Sequence, residues 1–297
     1  MRAVLEIVME GLMRRYRDRV PDVMKIASAM QEAGLIRSFS DIENDHVAFR
    51  TLGVPHLGIA SFEKIFLAYG YQKRDYFYFE GKKLDAYWYA PPSPEFPRIF
   101  VSELRVSDLS PEAQDIIQRY TAEIQADPVD SLDLSDGYAV DAFLHQSLWE
   151  LPTWSDFACL QQESEYAAWV IYNRYYLNHY TISVHNLPLG YDDIYRFNEF
   201  LVHLGIQLND AGGVVKVSPD GGLLQSSTVA EMIEATFADG DIHRIAGSYV
   251  EFAERKILPA YLDLPKDQIT RLHRRDGFET GNADKIFEST FSTQTGK

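Results

Sequence analysis

One cysteine, Cys159, stands in 297 residues, which excludes an intramolecular disulfide and a cysteine-rich zinc site. Basic residues are scarce: 28 Lys+Arg face 44 Asp+Glu, a formal net charge of −16. Such a surface repels phosphate backbones and anionic lipid, which argues against nucleic acid or a membrane as partner. No apolar run approaches the ~18 residues a membrane span needs. A secretory signal places basic residues before an uninterrupted apolar stretch. Here Glu6 and Glu10 interrupt the first apolar stretch, and Arg14, Arg15, Arg17 and Arg19 follow it, so a cytoplasmic setting is the expectation. The segments GGVV and DGG lack the spacing of a phosphate loop, and no GxSxG elbow occurs. Aromatic residues are plentiful, with 17 Phe, 18 Tyr and 4 Trp, and the apolar fraction is 46%. That composition excludes disorder. A chain this long buries about three quarters of its unfolded surface.

The apolar spacing predicts helices over 2–20 and 21–35, then a change of period. Residues 44–52 (NDHVAFRTL) read as a strand, 59–70 as a helix ending at Gly70, and 71–79, 83–90 and 99–107 as strands. Residues 110–174 read as mainly helical, with Pro111, Pro128 and Pro152 as breakers. The first order then repeats: a strand within 175–186, a helix over 191–204 ending at Gly205, and strands near 213–218, 222–229 and 247–254. The expected organisation is one α+β unit. It comprises a βαβββ module at about 44–107, a helical insertion at about 110–174, a second βαβββ module at about 175–256 and a closing segment at about 257–297, in which 276–291 keeps enough apolar residues to dock.

Paired βαβββ modules can form half-open sheets around a metal, with inward-facing ligands on the first and last strand of each. Those strands carry His46, Glu103, His179 and Glu251. Two neutral imidazoles and one carboxylate, with positions left open, suit non-haem Fe(II). Each residue also has an ordinary explanation. A strand histidine is commonly a hydrogen-bonded core residue, and Glu103 and Glu251 have Arg105 and Arg255 close by in sequence. His185 competes with His179, because six residues along a strand return to the same face. Arg50, four residues after His46, would look into the same cavity. There it can receive a carboxylate through a bidentate hydrogen bond, or it can pair with Glu43, Asp45 or Glu63.

Four segments carry a resemblance: NDHVAFRTL (44–52), FVSELRV (100–106), LNHYTISV (177–184) and SYVEFAERK (248–256). In that order they resemble the 2-oxoadipate dioxygenase/decarboxylase family of the vicinal-oxygen-chelate superfamily. The resemblance implies paired βαβββ modules forming a half-open β-barrel around a metal, with added helices. It implies Fe(II) held by His46, His179 and Glu251, and favours His179 over His185 because the former sits in NHYT. Arg50 becomes the clamp for a substrate carboxylate, with His46, His179 and Asn282 also at the substrate. Glu103 is left as a fourth ligand or polar contact. The segment GNADKIF (281–287) resembles one that closes over the substrate, although Gly281, Asn282, Asp284 and Lys285 replace a more apolar run. The implied reaction converts a 2-oxo dicarboxylic acid and O₂ to a 2-hydroxy acid and CO₂. The alternatives are a metal-dependent lyase or isomerase of glyoxalase type, with Glu103 as ligand or base, and a non-catalytic binding protein on the same fold.

Overall fold

The computed structural model describes residues 1–297. Two helices come first, α1 (Arg2–Arg19) and α2 (Pro21–Glu32). Pro21 separates them, because its fixed φ and missing N–H suit the first turn of α2 and not the interior of α1. The first βαβββ run follows as β1 (Asn44–Leu52), α3 (Ile59–Ala68), β2 (Gln72–Phe79), β3 (Leu84–Ala90) and β4 (Arg98–Leu104). Four helices occupy the middle: α4 (Pro111–Thr121), α5 (Gly137–His145), α6 (Trp154–Glu163) and α7 (Glu165–Asn173). Side-chain caps open each of them, from Ser110, Asp136, Thr153 and Ser164.

The second run is β5 (His179–Ser183), α8 (Ile194–His203), β6 (Lys216–Val217), β7 (Leu223–Ser227) and, after an inserted hairpin of β8 (Met232–Thr236) and β9 (Ile242–Ala246), β10 (Tyr249–Arg255). The C-terminal segment ends in α9 (Thr280–Phe287) and the short α10 (Ser292–Thr295). The strand near 213–218 shrinks to the two residues of β6. Gly212 and Gly213 both adopt positive φ just before it, and Pro219 follows within two residues. The hairpin β8–β9 forms a separate two-stranded sheet.

Eight strands form one curled half-barrel sheet in the order β2-β3-β4-β1-β5-β10-β7-β6. Each run contributes four neighbours, and the runs meet where β1 pairs antiparallel with β5. Within each run the first and last strands are parallel, β1 with β4 and β5 with β10. The four central strands are buried almost throughout, because both faces are covered. On the convex face Phe49 packs on Phe62 and Phe66 of α3, and Phe252 on Phe197 of α8. The other face carries His46, Arg50, His179 and Glu251, and α9 lies over it. There Phe287 packs on Phe79 and Phe100, and Phe278 on Phe100 and His46.

Candidate metal centre

Strand register brings the first cluster together. Ala48 pairs with His179, and His179 with Tyr249. His46 and Glu251 each lie two residues along their strands from these pairs, on the same face. His46 and His179 ring nitrogens and a Glu251 carboxylate oxygen all lie within 4.8 Å of one another. His179 Nε2 is 3.0 Å from Glu251 Oε2, His46 Nε2 is 3.5 Å from Oε1, and the two Nε2 atoms are 3.3 Å apart. All three residues are buried.

Outer partners decide which way the rings face. His46 Nδ1 is 2.8 Å from Asp45 Oδ1. A carboxylate only accepts, so Nδ1 carries the proton and Nε2 presents a lone pair. Asn178 Oδ1 plays the same part for His179 Nδ1 at 3.1 Å. Gln225 Nε2 donates to Glu251 Oε1 at 2.6 Å, which fixes the carboxylate. Three electron-pair donors thus converge in a buried space, the arrangement a divalent cation requires. Burial works against charge on every member. At His46 the Glu251 carboxylate and the Asp45 hydrogen bond outweigh burial and hold its pKa above the ordinary value. At His179 burial prevails and the pKa falls. Burial alone would raise Glu251, yet His46 and His179 hold it below the usual carboxylate range.

Asp45 belongs to a second network, in which it and two arginines are buried. Arg255 donates to it through Nε and NH2 at 2.6 and 2.9 Å, and Arg98 NH1 at 3.2 Å. Arg255 also donates to Gly277 O, and Arg98 to Asp276. The carboxylate that orients His46 therefore shares its guanidinium partners with the chain leading to Phe278, whose ring lies edge-on to His46 at 4.7 Å.

Arg50 lies on the cluster's face, 1% exposed, with no carboxylate partner. Its NH1 donates to Thr290 Oγ1 and its NH2 to Phe287 O, at 2.9 and 3.1 Å. Tyr166, Trp169 and Phe287 rings surround the guanidinium. The carboxylates considered for it are engaged elsewhere: Glu43 with Ser183 and Asn186, Asp45 with the two arginines, Glu63 with Lys73 and Tyr89. A buried cation held only by neutral oxygens and rings is a receptor for an anion.

Three other residues singled out from the sequence sit outside the cluster. Glu103 lies on the opposite face of the sheet, where Oε2 accepts from Ile59 N at the start of α3, 2.7 Å away. The reason is parity. His46 pairs with Arg98, so the position matching Glu251 is Phe100, while Glu103 is an odd number of residues further on. His185 sits beyond β5 and accepts from the Arg255 backbone N–H, with burial pushing its pKa down to about 3. Asn282 Nδ2 donates to Lys216 O, Leu223 O and Gln225 Oε1, so it reaches Glu251 only through Gln225. Sequence reasoning missed Asp45, Asn178 and Gln225. For the first two a signal existed, since each histidine is immediately preceded by a side chain able to accept a hydrogen bond.

Residues 8–266 match the family described as 2-oxoadipate dioxygenase/decarboxylase. The chain is 48% identical over 274 residues to the chloroplastic 2-oxoadipate dioxygenase/decarboxylase of Arabidopsis thaliana, covering 88% of this chain and 72% of the relative. It is 45% identical over 300 residues to the chloroplastic/amyloplastic enzyme of Oryza sativa, covering 97% and 79%. A crystal structure of hydroxyglutarate synthase from Oryza sativa in complex with 2-oxoadipate superposes with a TM-score of 0.88 at 44% identity, covering 98% of this chain and 93% of that one. The plastid location of both relatives overturns the cytoplasmic expectation. That expectation rested on a missing apolar signal, and a plastid transit peptide has none, being amphipathic and Arg- and Ser-rich. No helix is long and apolar enough to cross a membrane.

Proposed function

The chain belongs to the 2-oxoadipate dioxygenase/decarboxylase family, and from that premise we propose that it converts 2-oxoadipate and O₂ to 2-hydroxyglutarate and CO₂ with Fe(II) as its metal. The observation that carries this reading is the buried His46–His179–Glu251 cluster next to Arg50, a buried cation with no acidic partner. Two imidazoles and one carboxylate leave coordination positions open, the donor set of non-haem Fe(II) oxygenases. Held by His46, His179 and Glu251, the ion would supply Lewis acidity toward the 2-oxo acid and the redox chemistry that O₂ activation needs.

The chain's own residues do the rest. Asp45 and Asn178 hold the imidazoles in the tautomer that presents Nε2. Arg50 neutralises and orients a substrate carboxylate through its planar fork. Phe100, Phe278, Ile286 and Phe287 line the cavity with apolar surface that keeps water away from the oxidant. The lyase reading depended on Glu103 as ligand or base, and the engagement of that carboxylate with Ile59 N counts against it.

The test is direct. Protein loaded anaerobically with Fe(II) and 2-oxoadipate is exposed to oxygen, and O₂ uptake, CO₂ and 2-hydroxyglutarate are measured. Equimolar consumption and release support the proposal. Iron bound tightly with no uptake refutes it and returns the lyase reading.

A further inference from the structure

Two buried polar atoms on the face of the metal cluster have no hydrogen-bond partner: Arg50 Nε and the Tyr249 hydroxyl. Tyr249 is wholly buried, and its ring lies 4.8 Å from that of His179. It precedes Glu251 by two residues on β10 and pairs with His179 on β5, so its side chain shares their face. It lines the same cavity as His46, His179 and Glu251. A phenol hydroxyl is a donor, and this one is buried on the same face of the sheet as Arg50 with its oxygen left unpaired.

A hydroxyl buried without a partner costs stability, and phenylalanine would fill the same space without that cost. Ring packing against His179 therefore explains the aromatic residue and not its oxygen. Arg50 presents the matching case, since its two acceptors, Phe287 O and Thr290 Oγ1, are neutral and belong to the C-terminal segment. One group satisfies both orphans together: an oxyanion that accepts from the phenol and from Arg50.

Resting on the proposed function above, we infer that Tyr249 is a further substrate-binding residue, whose hydroxyl donates beside Arg50 to a carboxylate of the oxo acid. A site built around such a donor rejects ligands that lack the acceptor. Tyr249 thus adds to selectivity for acids over neutral carbonyl compounds.

The experiment compares the Fe(II)-loaded protein with Tyr249→Phe under strictly anaerobic conditions. It reads 2-oxoadipate affinity by calorimetry, iron content and melting temperature. The expected result is a loss of affinity of about tenfold or more, the range of a hydrogen bond to a charged group, with iron content unchanged and the melting temperature equal or higher. In an Arg50→Met background the same substitution should have a much smaller effect, because the carboxylate is no longer held there. Unchanged affinity in Tyr249→Phe overturns the inference alone, provided the parent protein binds 2-oxoadipate. Loss of iron together with a lower melting temperature also overturns it, by making Tyr249 a structural support for His179. Failure of the parent protein to bind 2-oxoadipate would instead refute the proposed function, and this inference with it.

Discussion

Replacing Asp45 by asparagine removes one charge and almost no volume. The side chain is 1% exposed and is the shared acceptor for Arg255, Arg98 and His46. Asparagine can still accept one or two hydrogen bonds, but two buried guanidinium groups then lack their common counterion. Breaking a buried pair while leaving its partner charged costs about 3–5 kcal/mol, several degrees of melting temperature in a chain this long. The amide also no longer compels His46 to carry its proton on Nδ1, and loss of such an outer partner weakens metal binding about 10–100-fold. Chemical denaturation of the metal-free protein reads the first effect, and competition with a calibrated chelator reads the second. Asp276→Asn is the control. Asp276 also pairs with Arg98, but its side chain is 61% exposed, so its loss should cost about 1 kcal/mol or less and leave metal affinity intact. Wild-type stability and metal affinity in Asp45→Asn would refute the network as described.

His46→Ala and Glu251→Ala should each abolish stoichiometric metal retention, measured by elemental analysis, with far-UV circular dichroism unchanged; full occupancy in either would exclude that residue as a ligand. Arg50→Lys should keep the metal yet weaken substrate binding about tenfold or more, since an ammonium cannot reproduce two parallel hydrogen bonds, as read by anaerobic calorimetry with 2-oxoadipate. Glu103→Ala should leave metal content and activity in place while lowering stability by about 1 kcal/mol, the value of a helix N-terminal acceptor. Burial and the nearby Glu231 raise Asp22 to about 6. Its folded pKa lies above its unfolded one, so the carboxyl is neutral and harmless near pH 4 and destabilises as it ionises. The stability of Asp22→Asn relative to the parent should therefore rise between about pH 4 and 6, as measured by urea denaturation across that range.

Much of the fold was legible because the elements obey local rules. The strand expected at 44–52 and β1 coincide, and helices α3 and α8 end just before Gly70 and Gly205, both at positive φ. The hairpin β8–β9 went unseen even though Asp239-Gly240 offers a turn signal, with Gly240 at φ +87°. Its strands set Glu234, Thr236, His243 and Arg244 among six apolar residues out of step with a period of two, and only Ala235 and Ile245 are fully buried, so no clean alternation marks them. The outer partners of the site were hidden for another reason. Gln225 meets Glu251 only because β7 and β10 pair with Glu251 opposite Ser227, and register of that kind is a property of the folded sheet. Tyr249 shows the same limit: its place in the chain reads as core, and only the missing partner at its hydroxyl distinguishes it.

The Glu103 assignment failed on the same point, and its correction says why the centre is asymmetric. The two runs place their first strands and their histidines alike, so a symmetric reading calls for a carboxylate on each last strand. Pairing of β1 with β4 instead sets Phe100 where β10 carries Glu251. A second carboxylate there would have brought the donor set to two negative charges, cancelling the charge of a divalent ion. With one, a centre loaded with a divalent ion would keep a net positive charge, which favours an anionic chelating ligand over a neutral one. Phe100 meanwhile gives Phe278 and Phe287 an apolar surface to close against. In the proposed reaction the residue that breaks the symmetry would therefore preserve attraction for an acid and form part of the wall that keeps it dry.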